Sequence, residues 1–144
     1  MPHGNVKQTT SPEARKFGYV VTILVNLALI YIANNLLGWE LPWLKTTFVQ
    51  CLWAINLSFA VTIFTNFVFL FFDRRWFRSF MEGICNVFSF ISGYIFWRVF
   101  PLDLSPAIAH WVNLGLILIL VFTLISILAS MMRAIRHYRR DEGN

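Results

Sequence analysis

Charge is scarce in this chain, and no Asp, Glu, Lys or Arg lies deep inside any of its four long apolar runs. Ionisable groups within a membrane are the usual mark of proton relays, ion coupling and drug export, so a proton-coupled transporter is not expected. Cysteine is limited to Cys51 and Cys85. One falls near the outer end of the second apolar run and the other in the inner part of the third, too far apart in depth to pair, so both should be free thiols. No CxxC motif or Cys/His cluster exists, which argues against a redox motif or structural zinc. Histidine is equally sparse. His3 and His137 belong to the polar tails, leaving His110 without the opposed ligand that intramembrane haem usually has. No metal or cofactor is expected, although quinone or pigment binding among aromatics would leave no distinctive signature. The first apolar run lacks an Ala-x-Ala cleavage pattern and is too long for a signal-peptide core, so it should be retained as a helix. Asn56-Leu57-Ser58 matches a glycosylation acceptor but lies inside an apolar run, out of reach of the modifying enzyme.

What is present is apolar. Hydrophobic residues make up 58% of the 144 and charged residues 13%, with a mean hydropathy of +0.63. These values lie outside the range of an ordinary soluble domain. A crossing needs about 20 residues, so four crossings leave only short loops and two tails and no room for a soluble catalytic domain.

The basic residues fix the expected orientation. Of twelve Lys and Arg, ten fall in three clusters: Lys7, Arg15 and Lys16; Arg74, Arg75 and Arg78; and Arg133, Arg136, Arg139 and Arg140. Only Lys45 and Arg98 occupy the two intervening loops. By the positive-inside rule the termini and the central loop face the cytoplasm. The expected fold is all-α: an antiparallel bundle of four transmembrane helices spanning about 18–37, 48–72, 80–100 and 107–132. Residues 1–17 form a polar cytoplasmic arm, 18–132 the transmembrane domain and 133–144 a basic cytoplasmic tail. Five Trp residues, 39, 43, 53, 97 and 111, belong at the outer interface, where they form an aromatic belt. The net charge of +5 is sorted by membrane side rather than gathered on one face, which argues against nucleic acid. Arg74, Arg75 and Arg78, with Arg133, Arg136, Arg139 and Arg140, are candidates to meet anionic phospholipid headgroups at roughly 1 kcal/mol each.

Each run also has a polar face. At 100° per residue, Thr22 and Asn26 share a side of the first helix with Gly18 and Ala33. On the second, Thr62 and Asn66 cluster with Ser58 and Thr65, with Asn56 displaced from them. On the third, Asn86, Ser89 and Gly93 lie within about 120° of Cys85 and Ser92. Cys85, Ser89 and Gly93 form a small-xxx-small seam of the kind that lets membrane helices approach. On the fourth, Ser126 shares a face with Thr123 and Ser130, while His110 and Asn113 lie nearer the outside. Asn66 and Asn86 should sit at similar depth and face one another. Glu82 lies one turn after Arg78, where an i, i+4 ion pair is the simple account. These polar residues serve either helix packing or a polar path.

The segment Trp97-Arg98-Val99-Phe100-Pro101-Leu102-Asp103 leads into a last helix with a basic end. It resembles the outer turn of a group of small bacterial four-helix membrane proteins. The resemblance covers the turn and the topology, about a third of the chain, and brings no assigned activity. It implies a multi-pass protein of the bacterial cytoplasmic membrane. Small four-helix transporters with a glutamate embedded in the first helix are a different pattern, because residues 18–37 contain no acid.

The functional expectation is a noncatalytic integral membrane protein, an accessory or scaffolding subunit that docks with another membrane protein or with copies of itself. The alternative is a small channel or facilitator for a neutral or lipid-like solute, lined by the Asn, Ser and Thr faces. A lipid-modifying or redox enzyme relying on His110 is a third reading.

Overall fold

The computed structural model describes residues 11–72 and 74–142, with side chains throughout except at 137, 138 and 140–142. Lys7, Asp73 and the side chain of Arg140 therefore lie outside the described residues. The first helix, α1 (Pro12–Asn35), begins before the apolar run. Ser11 caps it by accepting the Ala14 N–H at 3.2 Å, Pro12 opens the first turn and Glu13 complements the helix dipole. A 3₁₀ turn at Leu36–Trp39 ends at Glu40, which takes a left-handed conformation (φ 50°, ψ 42°). A second such turn, Thr46–Phe48, leads into α2 (Val49–Phe71).

α3 (Arg75–Val99) starts in the basic cluster rather than at residue 80 and closes at Phe100, a second left-handed residue with φ 40°. The Phe100 N–H donates to the Phe96 carbonyl at 2.9 Å, and Pro101 cannot continue the ladder. α4 (Pro106–Glu142) runs on through the basic tail, and its 37 residues extend about 55 Å. Hydropathy marks where a helix is greasy, not where it stops. Arg and Met are good helix formers, so nothing at residue 132 breaks the ladder.

The helices pack in chain order, α1 on α2, α2 on α3 and α3 on α4. Contact partners run in opposite directions: Ser58 and Thr65 of α2 meet Ser89 and Cys85 of α3, and Gly83 and Gly93 of α3 meet Met131 and Leu120 of α4. α1 and α4 share no comparable interface among the described residues. The buried positions are mostly small: Ala33, Cys51, Ala54, Ser58, Thr65, Ser79, Ser130 and Ala134, joined by Phe48 and Phe69. Lipid gives no hydrophobic reward for joining two greasy helices, so close backbone approach and hydrogen bonds hold such a core.

Outside it lies a broad apolar surface. Phe64 is 61% and Phe71 79% exposed, and they belong to a run of exposed Phe, Leu, Ile and Val that covers all four helices. All four helices are long and apolar enough to cross a membrane, consistent with a multi-pass membrane protein. Below, the end bearing Trp39 and Trp43 is termed outer and the end bearing Arg78 and Arg133 inner.

Candidate functional site

At the inner end the four helices enclose a cleft of about 380 Å³. Tyr19 of α1, Thr62 and Asn66 of α2, Glu82 and Asn86 of α3, and Ser126 and Arg133 of α4 all border it. Several of these side chains are already engaged within their own helices. Asn66 Nδ2 donates to the Thr62 carbonyl at 2.8 Å, and Thr62 Oγ1 to the Ser58 carbonyl at 3.0 Å. Arg78 lies 3.7 Å from Glu82, the i, i+4 pair read from their spacing, and Arg133 donates to Ser130 Oγ at 2.9 Å. Asn86 lines the same cleft as Asn66, but no hydrogen bond joins the two amides. The α2–α3 contact at this level is made instead by Cys85 Sγ, which donates to Thr65 Oγ1 at 3.3 Å.

A groove of about 300 Å³ continues from the cleft along α3 and α4. Asn86 and Ser126 belong to both hollows, and Ser89, Ile119, Phe122 and Thr123 complete the groove. Ser89 and Ser126 are exposed, Ser89 reaching Ser58 Oγ only at 3.4 Å. A separate, wholly apolar hollow between α3 and α4 is lined by Phe90, Trp97, Ile117, Leu120, Val121 and Leu124.

The α3 seam divides between two neighbours. Cys85 and Ser89 face α2, whereas Gly93 faces α4, where an added Cβ would stand 3.2 Å from Leu120 Cδ2. Gly83 does the same further in, with Met131 Cε at 3.0 Å from such a Cβ. Asn26 is buried on α1 and donates to the Thr22 carbonyl at 2.8 Å. Asn56 does not join the cleft. It forms a reciprocal amide pair with Asn34, at 2.9 and 3.0 Å, that ties α2 to α1. Asn34 escaped the angular reading, yet it and Asn56 stand equally far along the chain from Lys45, so depth matching across the outer corner would have paired them.

At the outer end His110 is exposed and borders a shallow pocket of about 500 Å³ with Arg98, Phe100 and Pro106. Asn113 accepts from Trp97 Nε1, joining α4 to α3. The two outer loops are stitched together: Lys45 N–H donates to the Pro101 carbonyl and Asp103 N–H to the Trp43 carbonyl, both at 2.8 Å. Lys45 Nζ also lies 3.8 Å from Asp103.

Of the basic residues, Arg74 lies over the Phe72 ring at 5.4 Å, and Arg75, Arg136 and Arg139 are exposed. Among the described residues, no cluster of three or more His, Cys, Asp and Glu could hold a metal ion. No protein-family model, curated protein or solved structure matches the chain.

Proposed function

We propose that this chain is a noncatalytic integral membrane protein, crossing the bilayer four times with both termini cytoplasmic, that serves as an accessory or scaffolding subunit of a membrane complex or homo-oligomer. One observation carries the reading: the α3–α4 groove presents Asn86, Ser89, Thr123 and Ser126 toward the outside of the bundle. Thr123 Oγ1 donates to the Ile119 carbonyl at 2.7 Å and Ser89 reaches Ser58, but acyl chains offer no partner to the groove's remaining polar atoms, whereas a neighbouring transmembrane helix supplies both hydrogen bonds and close packing. The basic clusters favour the orientation, and Arg74, Arg75, Arg133, Arg136, Arg139 and Arg140 would lie at the level of anionic headgroups.

The test is the composition of the complex extracted from native membranes in mild detergent, read by native mass spectrometry. A stoichiometric partner or a discrete oligomer is the expected result, and Ser89→Leu with Thr123→Leu should dissociate it. A second reading, a facilitator for a neutral or lipid-like solute, is favoured by the polar lining of the inner cleft. A monomer in native membranes, with solute flux in proteoliposomes that changes on replacing Asn66 or Asn86, would replace the first reading by the second.

A further inference from the structure

The inner cleft differs from the groove in its charge and its depth. Arg133 stands at its mouth and Ser126 lies two turns deeper on the same helix, about 10 Å at 1.5 Å per residue. On α3, Glu82 and Asn86 follow Arg78 inward in the same way. A headgroup layer is only about 5–8 Å thick, so the cleft carries hydrogen-bonding groups below the basic rim to acyl-chain level. Thr62 and Asn66 each spend one donor on their own helix, but acyl chains cannot satisfy the polar atoms that remain, such as those of Asn86 and Ser126, which favours a polar occupant.

Two further features narrow its chemistry. The occupant meets two guanidinium groups and one carboxylate, so it needs a negative centre for Arg133 and a donor for Glu82. The Tyr19 hydroxyl, in the α1 wall, is buried with no hydrogen-bond partner, a donor that an oxygen-rich occupant would complete if the wall yields slightly. Among the described residues α1 and α4 share no interface comparable with those between successive helices, which makes that side of the cleft the route by which a lipid would enter.

We propose that the cleft binds the headgroup of an inner-leaflet phospholipid, Arg133 holding the phosphodiester and Glu82 accepting from an ammonium or hydroxyl group at the headgroup's end. The inference rests on the orientation in the preceding section but not on the existence of a protein partner. Arg78 stays paired with Glu82 while adding positive potential at the rim.

Native mass spectrometry of the purified full chain, titrated with phosphatidylethanolamine and phosphatidylcholine, separates the terms because the two lipids carry the same charge and differ in headgroup donors. The wild type should favour phosphatidylethanolamine, and Glu82→Gln should abolish that preference. Arg133→Gln should weaken binding of both lipids about fivefold, the effect of one basic residue at a headgroup. Thr62→Leu, which fills the cleft without changing charge, should weaken both as well. Arg136→Gln, outside the cleft, should leave affinity unchanged.

Equal losses in Arg133→Gln and Arg136→Gln would reduce the effect to general attraction by the basic rim and overturn the proposal. Displacement of lipid by millimolar inorganic phosphate would also overturn it, in favour of a soluble anion site. Thermal melting of each variant identifies misfolding, and the lipid preference of Glu82→Gln is a ratio within one protein, independent of the folded amount. Loss of the complex in Ser89→Leu with lipid preference intact would leave this inference standing alone; the reverse would leave only the association reading.

Discussion

Removing Asn34 and Asn56 singly and together isolates the reciprocal amide pair between α1 and α2. Two hydrogen bonds join the side chains, at 2.9 and 3.0 Å, and Asn34 Nδ2 also donates to the Ile30 carbonyl at 2.7 Å. Losing Asn56 therefore leaves the Asn34 oxygen unpaired while its amide nitrogen keeps one partner. Interhelical hydrogen bonds in membranes average about 0.6 kcal/mol in double-mutant cycles and reach about 1.7. Two in parallel give a coupling of about 1–2 kcal/mol, and the exposure of Asn34 near the outer interface, where water can substitute, favours the lower end. The assay is reversible unfolding in mixed micelles, followed by tryptophan fluorescence, for wild type, Asn34→Ala, Asn56→Ala and the double variant. A coupling below about 0.3 kcal/mol would refute the reasoning, since the pair would then add nothing beyond each residue's contact with its own helix.

Three other outcomes follow from the packing. Gly83→Ala should change stability by less than about 1 kcal/mol, because the atom its Cβ meets is the terminal methyl of Met131, whereas Gly83→Leu should cost about 1–3 kcal/mol against the fully buried Ser130 in the same unfolding assay. Asp103→Asn should cost under about 0.5 kcal/mol at physiological salt, since the Lys45–Asp103 pair is long and its side chains are 47% and 70% exposed; a loss above 1 kcal/mol would show that the ion pair, not the backbone bonds, holds the outer loops. In a cysteine-free variant, single thiols at Glu40 and Ser105 should react with an impermeant reagent added outside intact cells and a thiol at Arg75 should not; outside labelling at Arg75 would refute the four-span orientation.

The number of long helices was legible because each contains a stretch of membrane length that is apolar on average, α3 least so. Their inner limits were not, because Arg75–Phe80 and Arg133–Glu142 are polar yet good helix formers, and hydropathy is blind to them. Thr62 and Asn66, which the angular reading places on one face of α2, line one cleft with Asn86 and Ser126. The bonded pairs were not legible from angles alone. Asn66 bonds the carbonyl four residues back, and although it lines one cleft with Asn86 no hydrogen bond joins the two amides. Nor could angles show that α1 and α4 share no comparable interface among the described residues, since closure of a bundle depends on how each pair of helices crosses rather than on the composition of either.

The stitched outer loops bear on where the molecule can give. The central pair, α2 and α3, is fastened at one end by the short link after Phe71 and at the other by the backbone bonds between residues 43–45 and 101–103. Neither helix can swing from the other without breaking one of these fastenings. Among the described residues the inner ends of α1 and α4 carry no such backbone bond to a neighbouring loop and are held by side-chain packing, Tyr19 on Phe69 and Met131 on Gly83. A change in the width of the cleft therefore costs least when its α1 and α4 walls move about their outer ends, like doors hung on a fixed post.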